Sequence, residues 1–288
     1  MKKGRKRLAS LILLLFAVAL FLGGIGVLWM RPDWRFSLET ALKREKEIAW
    51  TEASLGTDCT VWTLAGLKEQ PTVVTAELLM LVNDSHPLPK SYVPMLAEYN
   101  GALMHPEMIT SYIALCDEIE RRTGLRMYTS ADYRTREEQE AILAESKDGI
   151  AAALGCSEHE AGLALDVCVK GYGGASFLKT EAGREVNRIC GEYGFIIRYP
   201  LGKEDVTGIS YEPWHLRYVG APHAALIMNS GIAFEEYLDA MRPEVWYQSG
   251  EYRILKTGWE TVTLPNGWEV CYLSSDNAGH TVITLKMA

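Results

Sequence analysis

The chain has 288 residues, 48% of them hydrophobic and 23% charged, which bounds it as a folded protein of at least one full domain. Its formal net charge is −8 even though Lys2, Lys3, Arg5, Lys6 and Arg7 crowd the N-terminus. The rest is therefore more acidic still, which argues against nucleic acid as a partner.

Residues 1–7 read as a basic cytoplasmic tail and 8–30 as a transmembrane anchor. The latter stretch carries one polar side chain, Ser10, and no charge. As a helix it would run about 34 Å at roughly 1.5 Å per residue, against a hydrocarbon core of about 30 Å. A cleaved signal peptide would have a shorter apolar core and a small-x-small site. Here Val27-Leu-Trp-Met30 continues apolar past Gly23, Gly24 and Gly26, which favours an uncleaved anchor. The basic tail keeps the N-terminus in the cytoplasm. The expectation is a single-pass cell-membrane protein whose catalytic domain is extracytoplasmic.

Residues 31–77 mix charge with aromatics and read as a stalk, with an amphipathic helix over 38–50. An apolar run starts at Leu78 and gives way to a loop marked by Pro87, Pro89 and Pro94. Ile109, Tyr112, Ile113, Leu115, Cys116 and Ile119 share a helical face, predicting a helix over 108–122 closed by Gly124. A strand is expected over 125–129. Thr135-Arg-Glu-Glu138 is a capping box that opens a second helix running towards Leu154. A strand over 163–169 follows, then a helix capped by Thr180 and ending at Gly194, strands over 195–199 and 214–219, and a helix over 234–241. Helices first and strands clustered predict an α+β fold over 78–241, a small antiparallel sheet flanked by helices. Residues 242–288 are rich in Trp, Tyr, Val and Thr around the turn signal Pro265-Asn-Gly267, and read as a short β-rich appendage docked on that domain. Cys59, Cys116, Cys156, Cys168, Cys190 and Cys271 leave disulfides and buried free thiols both open.

Two short stretches carry the chemistry: Ser157-Glu-His159-Glu-Ala-Gly162-Leu-Ala-Leu-Asp166 and Glu212-Pro-Trp-His215. They offer two imidazoles and a carboxylate to one Zn2+ ion, with a second carboxylate, Glu212, to act as base. Three protein ligands and an open position for water are the inventory of a catalytic zinc site. Gly162 lets the chain turn before the strand bearing Asp166, and Pro213 holds Glu212 extended. One His with an Asp seven residues on is common by chance, so the weight lies in the joint pattern. Leu163 occupies the second His position of a His-Glu-x-x-His motif, so that motif is absent. A thiolate site from Cys156 and Cys168 lacks the paired spacing such sites show. His86, His105, His223 and His280 have no metal-like partners and read as ordinary surface or loop residues.

Ser-x-His-x-x-Gly-x-Ala-x-Asp followed by Glu-x-Trp-His resembles the VanY-type zinc D-alanyl-D-alanine carboxypeptidases of bacterial cell-wall metabolism. The resemblance extends through Asn83 to Pro89, Tyr133-Arg134 with Gln139, Tyr193 to Pro200 and Tyr211 to Gly220. It implies that His159, Asp166 and His215 bind zinc and that Glu212 is the general base. It also implies that Arg134 contacts the substrate carbonyl or carboxylate, while Ser157 and Gln139 help hold the terminal carboxylate. Ser130-Ala-Asp-Tyr-Arg has one residue more than the family's Ser-Gly-Tyr-Arg, which leaves the role of Ser130 open. The implied function is membrane-anchored D,D-carboxypeptidase action on peptidoglycan stem peptides or lipid-linked precursors, lowering the ligand supply for vancomycin-type glycopeptides. The alternatives are an L,D-carboxypeptidase or endopeptidase of the same fold, and a non-catalytic wall-binding protein. The last has no need of Glu212.

Overall fold

The computed structural model describes residues 26, 30–146 and 152–288. The anchor read at 8–30 therefore falls, but for residues 26 and 30, outside the described residues. Among the described residues, no helix is long and apolar enough to cross a membrane.

The first helix, α1, is Pro32–Ala41, with Pro32 at its opening turn. Proline there is pre-set to a helical φ and gives up an N–H that needs no partner. This corrects the helix expected over 38–50. Beyond Ala41 the chain is drawn out along the folded body instead: Lys46 N–H donates to Ser230 O at 2.9 Å, and Trp50 stacks on Tyr247 at 4.4 Å.

Short elements follow: β1 (Thr51–Glu52), β2 (Cys59–Thr63), α2 (Leu64–Lys68), β3 (Val74–Thr75), then the hairpin β4 (Ala97–Tyr99) and β5 (Ala102–Met104). Helix α3 (Pro106–Thr123) buries Met108, Tyr112, Leu115 and Ile119 and ends on Gly124 in the left-handed region, as its periodicity predicts. Strand β6 (Met127–Ala131) leads to α4 (Arg136–Glu145), where Thr135 and Glu138 form both bonds of the capping box. Strand β7 (Ala164–Val169), helix α5 (Glu181–Ile189), strand β8 (Phe195–Ile197), helix α6 (Glu204–Thr207), strand β9 (His215–Tyr218) and helices α7 (His223–Ser230) and α8 (Phe234–Ala240) complete this part. Its sheet has the order β6-β7-β9-β8, antiparallel throughout. Leu165, Val167, Leu216 and Tyr218 point from it into a core shared with α3 and α5.

The remaining strands are β10 (Trp246–Ser249), β11 (Tyr252–Thr257), β12 (Thr261–Pro265), β13 (Trp268–Ser275) and β14 (Thr281–Met287). They do not form an appendage of their own. The six-stranded order β1-β10-β11-β14-β13-β3 begins and ends with strands from the stretch read as a stalk, and β2 pairs with β12. Residues 51–75 and 246–287 thus build one composite unit around Leu67, Leu255, Leu273, Ile283 and Leu285, while α1 packs against residues 174–188 of the other part. The reason is edge chemistry: β10–β14 alone would leave open edges and a thin core, and the N-terminal strands cover them. The tip of the β13–β14 hairpin grips the other unit, with Asn277 Nδ2 donating to Leu81 O and His86 O at 3.0 Å each. All six cysteines are free thiols.

Candidate metal centre

Strand register builds the site. Successive side chains alternate across a strand, so Leu165 and Val167 enter the core while Asp166 faces the opposite side. Asp166 lies directly across from His215 in the β7–β9 ladder. His215 Nδ1 is 3.0 Å from Asp166 Oδ1. His159 arrives on the single 3-10 turn Glu158–Ala161, closed by Gly162 at φ +70°. A Cβ on Gly162 would sit 2.6 Å from Leu96 Cδ2, a side-chain end that can shift, so it is the left-handed backbone that favours glycine here. His159 Nε2 is 3.5 Å from Asp166 Oδ1.

The donor atoms of His159, Asp166 and His215 all lie within 4.8 Å of one another. Two ligands about 2.0 Å from a tetrahedral zinc are about 3.3 Å apart, and the 3.0 and 3.5 Å separations straddle that value. The set fits the ion. His159 Nδ1–H donates to Asp132 O at 2.7 Å, which leaves Nε2 unprotonated for a metal. Burial works against ionising Asp166, but His159 and His215, when their rings are protonated, outweigh it and hold its carboxyl well below the usual range.

Glu212 opens a tight turn in which His215 N–H donates to Glu212 O at 3.1 Å, bringing its Oε2 to 3.8 Å from His215 Nδ1. The imidazoles are 5–6% exposed against 21% for Asp166 and 26% for Glu212, so the open side of the site is the carboxylate side. Burial raises the Glu212 pKa, His215 works against the rise, and Asp166 adds to it. A cavity of about 180 Å³ is lined by Arg134, Gln139, Ser157, His159, Asp166, Glu212 and His215, together with Ile142, Tyr199 and Trp214. Every site residue singled out in the sequence is therefore on one pocket.

One of them differs from its expected part, and Ser130, whose role was open, does not line this pocket. Gln139 is buried, accepting from Arg134 Nη1 at 2.8 Å and donating to Ala152 O at 2.6 Å, so it holds the guanidinium in place. Ser130 sits in a β-bulge, where Ser130 and Ala131 together oppose Asp166, and its hydroxyl donates to Asp166 O at 3.2 Å. The bulge takes up one residue ahead of Tyr133-Arg134 while Arg134 still reaches the pocket.

Behind the ligands lies charge to which the motif reading gave no role. Glu158 is 1% exposed and accepts from Arg198 Nε at 2.6 Å and Arg217 Nη1 at 2.8 Å, both arginines being fully buried. Burial opposes the Glu158 charge, and the two guanidiniums overcome it, holding the carboxyl far below its ordinary pKa. Arg198 also pairs with Glu235 on α8, and Arg217 Nη2 donates to Leu78 O and Met80 O. The available signal was an arginine inside each of two apolar runs, Phe195 to Tyr199 and His215 to Val219, since a buried cation demands an acid. Tyr199, whose ring centre is 4.9 Å from that of His215, carried no such signal.

A family model described as VanY, D-alanyl-D-alanine carboxypeptidase, matches residues 101–221. The bifunctional D-Ala-D-Ala dipeptidase and D-Ala-D-Ala carboxypeptidase VanXYC of Enterococcus gallinarum is 36% identical over 187 residues, 58% of this chain and 96% of that protein. A D-alanyl-D-alanine carboxypeptidase of Enterococcus faecium is 32% identical over 184 residues, 58% of this chain but only 59% of that enzyme's length. Among solved structures, vancomycin-resistance D,D-dipeptidase VanXYg in complex with a D-Ala-D-Ala phosphinate analogue is similar with TM-score 0.65 at 25% identity. That likeness covers 80% of this chain and 98% of that one. A mutant of the D,D-pentapeptidase VanY from a VanB-type resistance cassette, in complex with Zn(II), is similar with TM-score 0.50 at 33% identity, covering 56% and 98%.

Proposed function

The chain belongs to the VanY family of D-alanyl-D-alanine carboxypeptidases, and from that membership we propose that it is a zinc peptidase removing the terminal D-alanine of peptidoglycan stem peptides. The observation that carries this reading is the convergence of His159, Asp166 and His215 beside Glu212 and Arg134 on one small pocket. Its volume of about 180 Å³ is below the roughly 300–1,000 Å³ of sites for drug-sized ligands, and suits a single small residue at a chain end.

His159, Asp166 and His215 hold the metal. Zinc, when bound, supplies water of lowered pKa and polarises the scissile carbonyl. Glu212 takes the proton from the attacking water and passes it to the departing amine nitrogen of D-alanine. Its partial burial makes it the stronger base for that task. Arg134, oriented by Gln139, faces the negative charge that develops on the carbonyl oxygen. Ser157 contributes its hydroxyl at the terminal carboxylate. Residues 8–30 anchor the chain with its catalytic unit outside the cell, a reading supported by the apolar run and the basic residues before it. Stems and lipid-linked precursors lie within reach there, and trimming them lowers the ligand supply for vancomycin-type glycopeptides.

Purified protein incubated with a defined pentapeptide stem and a defined tetrapeptide stem tests this by product mass. The expected result is one D-alanine released from the pentapeptide, lost on chelation and restored by Zn2+. Cleavage that ignores the chelator removes the metal from the scheme. Release from the tetrapeptide alone moves the activity to the L,D class, and retention on purified wall with no amino acid released favours a binding module.

A further inference from the structure

Among the described residues, two buried side-chain polar atoms have no hydrogen-bond partner: Glu158 Oε2 and His215 Nε2. They face each other at 3.6 Å, a few tenths of an ångström beyond a hydrogen bond. Unpartnered buried polar atoms are rare, and two aimed at one another point to a bond made in the working state of the site. We propose that Glu158 is a positioning residue for the metal centre: its Oε2 accepts from His215 Nε2–H and so fixes the tautomer that presents Nδ1 to the ion.

The inference rests on the metal reading above and adds a residue to it. His215 Nδ1 lies on the Asp166 side, so Nδ1 is the ligating atom and Nε2 must carry the proton. Only an acceptor can face that proton. Glu158 is kept an acceptor because Arg198 Nε and Arg217 Nη1 both donate to its other oxygen, Oε1. The guanidiniums also keep it from moving. Arg217 is held in turn by the carbonyls of Leu78 and Met80, and Arg198 by Glu235. The geometry of His215 is thereby referred back to three separate segments of the chain. Glu158 also immediately precedes the ligand His159, so one 3-10 turn delivers a metal ligand and the residue that orients another ligand.

The rival account is that Glu158 merely neutralises two buried arginines. The variants Glu158→Gln and Glu235→Gln separate the two. Both remove one negative charge from the arginine cluster, but only the first puts an amide donor opposite a ring N–H. Zinc affinity is measured by competition with a chromogenic chelator, alongside thermal melts of the metal-free proteins. Glu158→Gln is expected to bind Zn2+ about 10–100-fold more weakly than the unmodified protein, whereas Glu235→Gln stays within about threefold even as its melting temperature falls. Equal zinc affinity in Glu158→Gln, or an equal loss in both variants, overturns the proposal. If Glu158→Gln does not fold, ¹⁵N-histidine NMR of the zinc-loaded unmodified protein decides. His215 Nε2 is expected protonated and slow to exchange, and an unprotonated or metal-bound Nε2 overturns the assignment. An unmodified protein that takes up no Zn2+ sinks the metal reading itself, and this inference with it.

Discussion

The metal-site unit and the composite β unit share a seam, yet the first buries a far denser cluster of charge than the second. Around β11, β13 and β14 the buried apolar side chains include Leu255, Leu273, Ile283 and Leu285, and the buried polar ones are Lys256, Thr257, Ser274, Asp276 and Thr284. The buried acid there, Asp276, accepts from the N–H groups of Ala278 and His280, faces the His280 ring at 3.0 Å and stands 3.5 Å from Lys256 Nζ, a single pair beside largely local bonds. Beside β7 and β9, by contrast, Glu158, His159, Arg198, His215 and Arg217 are packed out of water. Two of their polar atoms are left facing each other without a bond. Stability alone would favour apolar residues in that place. Chemistry explains the choice, because a metal centre needs fixed imidazoles and a carboxylate kept ionised. The fold concentrates its local violations of good packing where the reaction is proposed to occur.

Substitutions can press on this contrast from both sides. Glu212→Gln should have the largest effect, about 10²–10⁴-fold in kcat for D-alanine release with zinc content unchanged. Full activity in that variant would remove the base and leave the buried charge unexplained. Arg134→Ala should cost about 10²–10³-fold, and Gln139→Ala should fall short of that, since it loosens Arg134 without removing it. A loss in Gln139→Ala as large as in Arg134→Ala would give Gln139 a direct contact with substrate.

On the other side of the seam, Leu285→Ala should destabilise by about 2–5 kcal/mol, read in denaturant unfolding, while kcat of the folded protein stays within about twofold. A large fall in kcat there would mean that the β unit shapes the site rather than bracing it.

The seam itself supplies an effect that appears only as pH falls. His223, expected at the surface or in a loop, is instead buried on α7 between Tyr237 OH of α8 at 2.7 Å and Thr284 Oγ1 of β14 at 2.8 Å, and burial pushes its pKa down to about 3. The unfolded chain binds this proton below about pH 6.5, but the folded one does not until about pH 3. Stability from this group is therefore complete above about pH 6.5 and falls as pH drops, by up to about 1.4 kcal/mol per pH unit. His223→Gln should flatten that slope between pH 6 and 4 in unfolding titrations, and an unaltered slope would place the titrating group elsewhere.

How much was legible beforehand varies with the range of the interactions involved. The periodic face from Met108 to Ile119, the capping box at Thr135 and Glu138, and the left-handed Gly124 and Gly162 are local features, and the structure carries each of them. The spacing of His159, Asp166, Glu212 and His215 already named a constellation, since few chemistries need those groups together. The pairing of β1, β2 and β3 with strands some 200 positions later was hidden, because β1 and β3, of two residues each, have no period to detect and the partners of all three are set by sheet edges. The buried run from Glu158 through Arg198 and Arg217 to Glu235 was hidden for the same reason. Each residue alone looks like surface charge until burial brings it to its partner.

The sequence by itself determined the kinds of atom offered to a metal and the local turns that present them, because donor chemistry and backbone preference are properties of residues and their near neighbours. Only the tertiary structure decided that Asp166 lies across from His215, that Gln139 holds Arg134, and that a buried glutamate stands behind the ligand. Those facts depend on strand register and on which charges share a dry interior, and both arise from contacts between segments that the chain brings together only on folding.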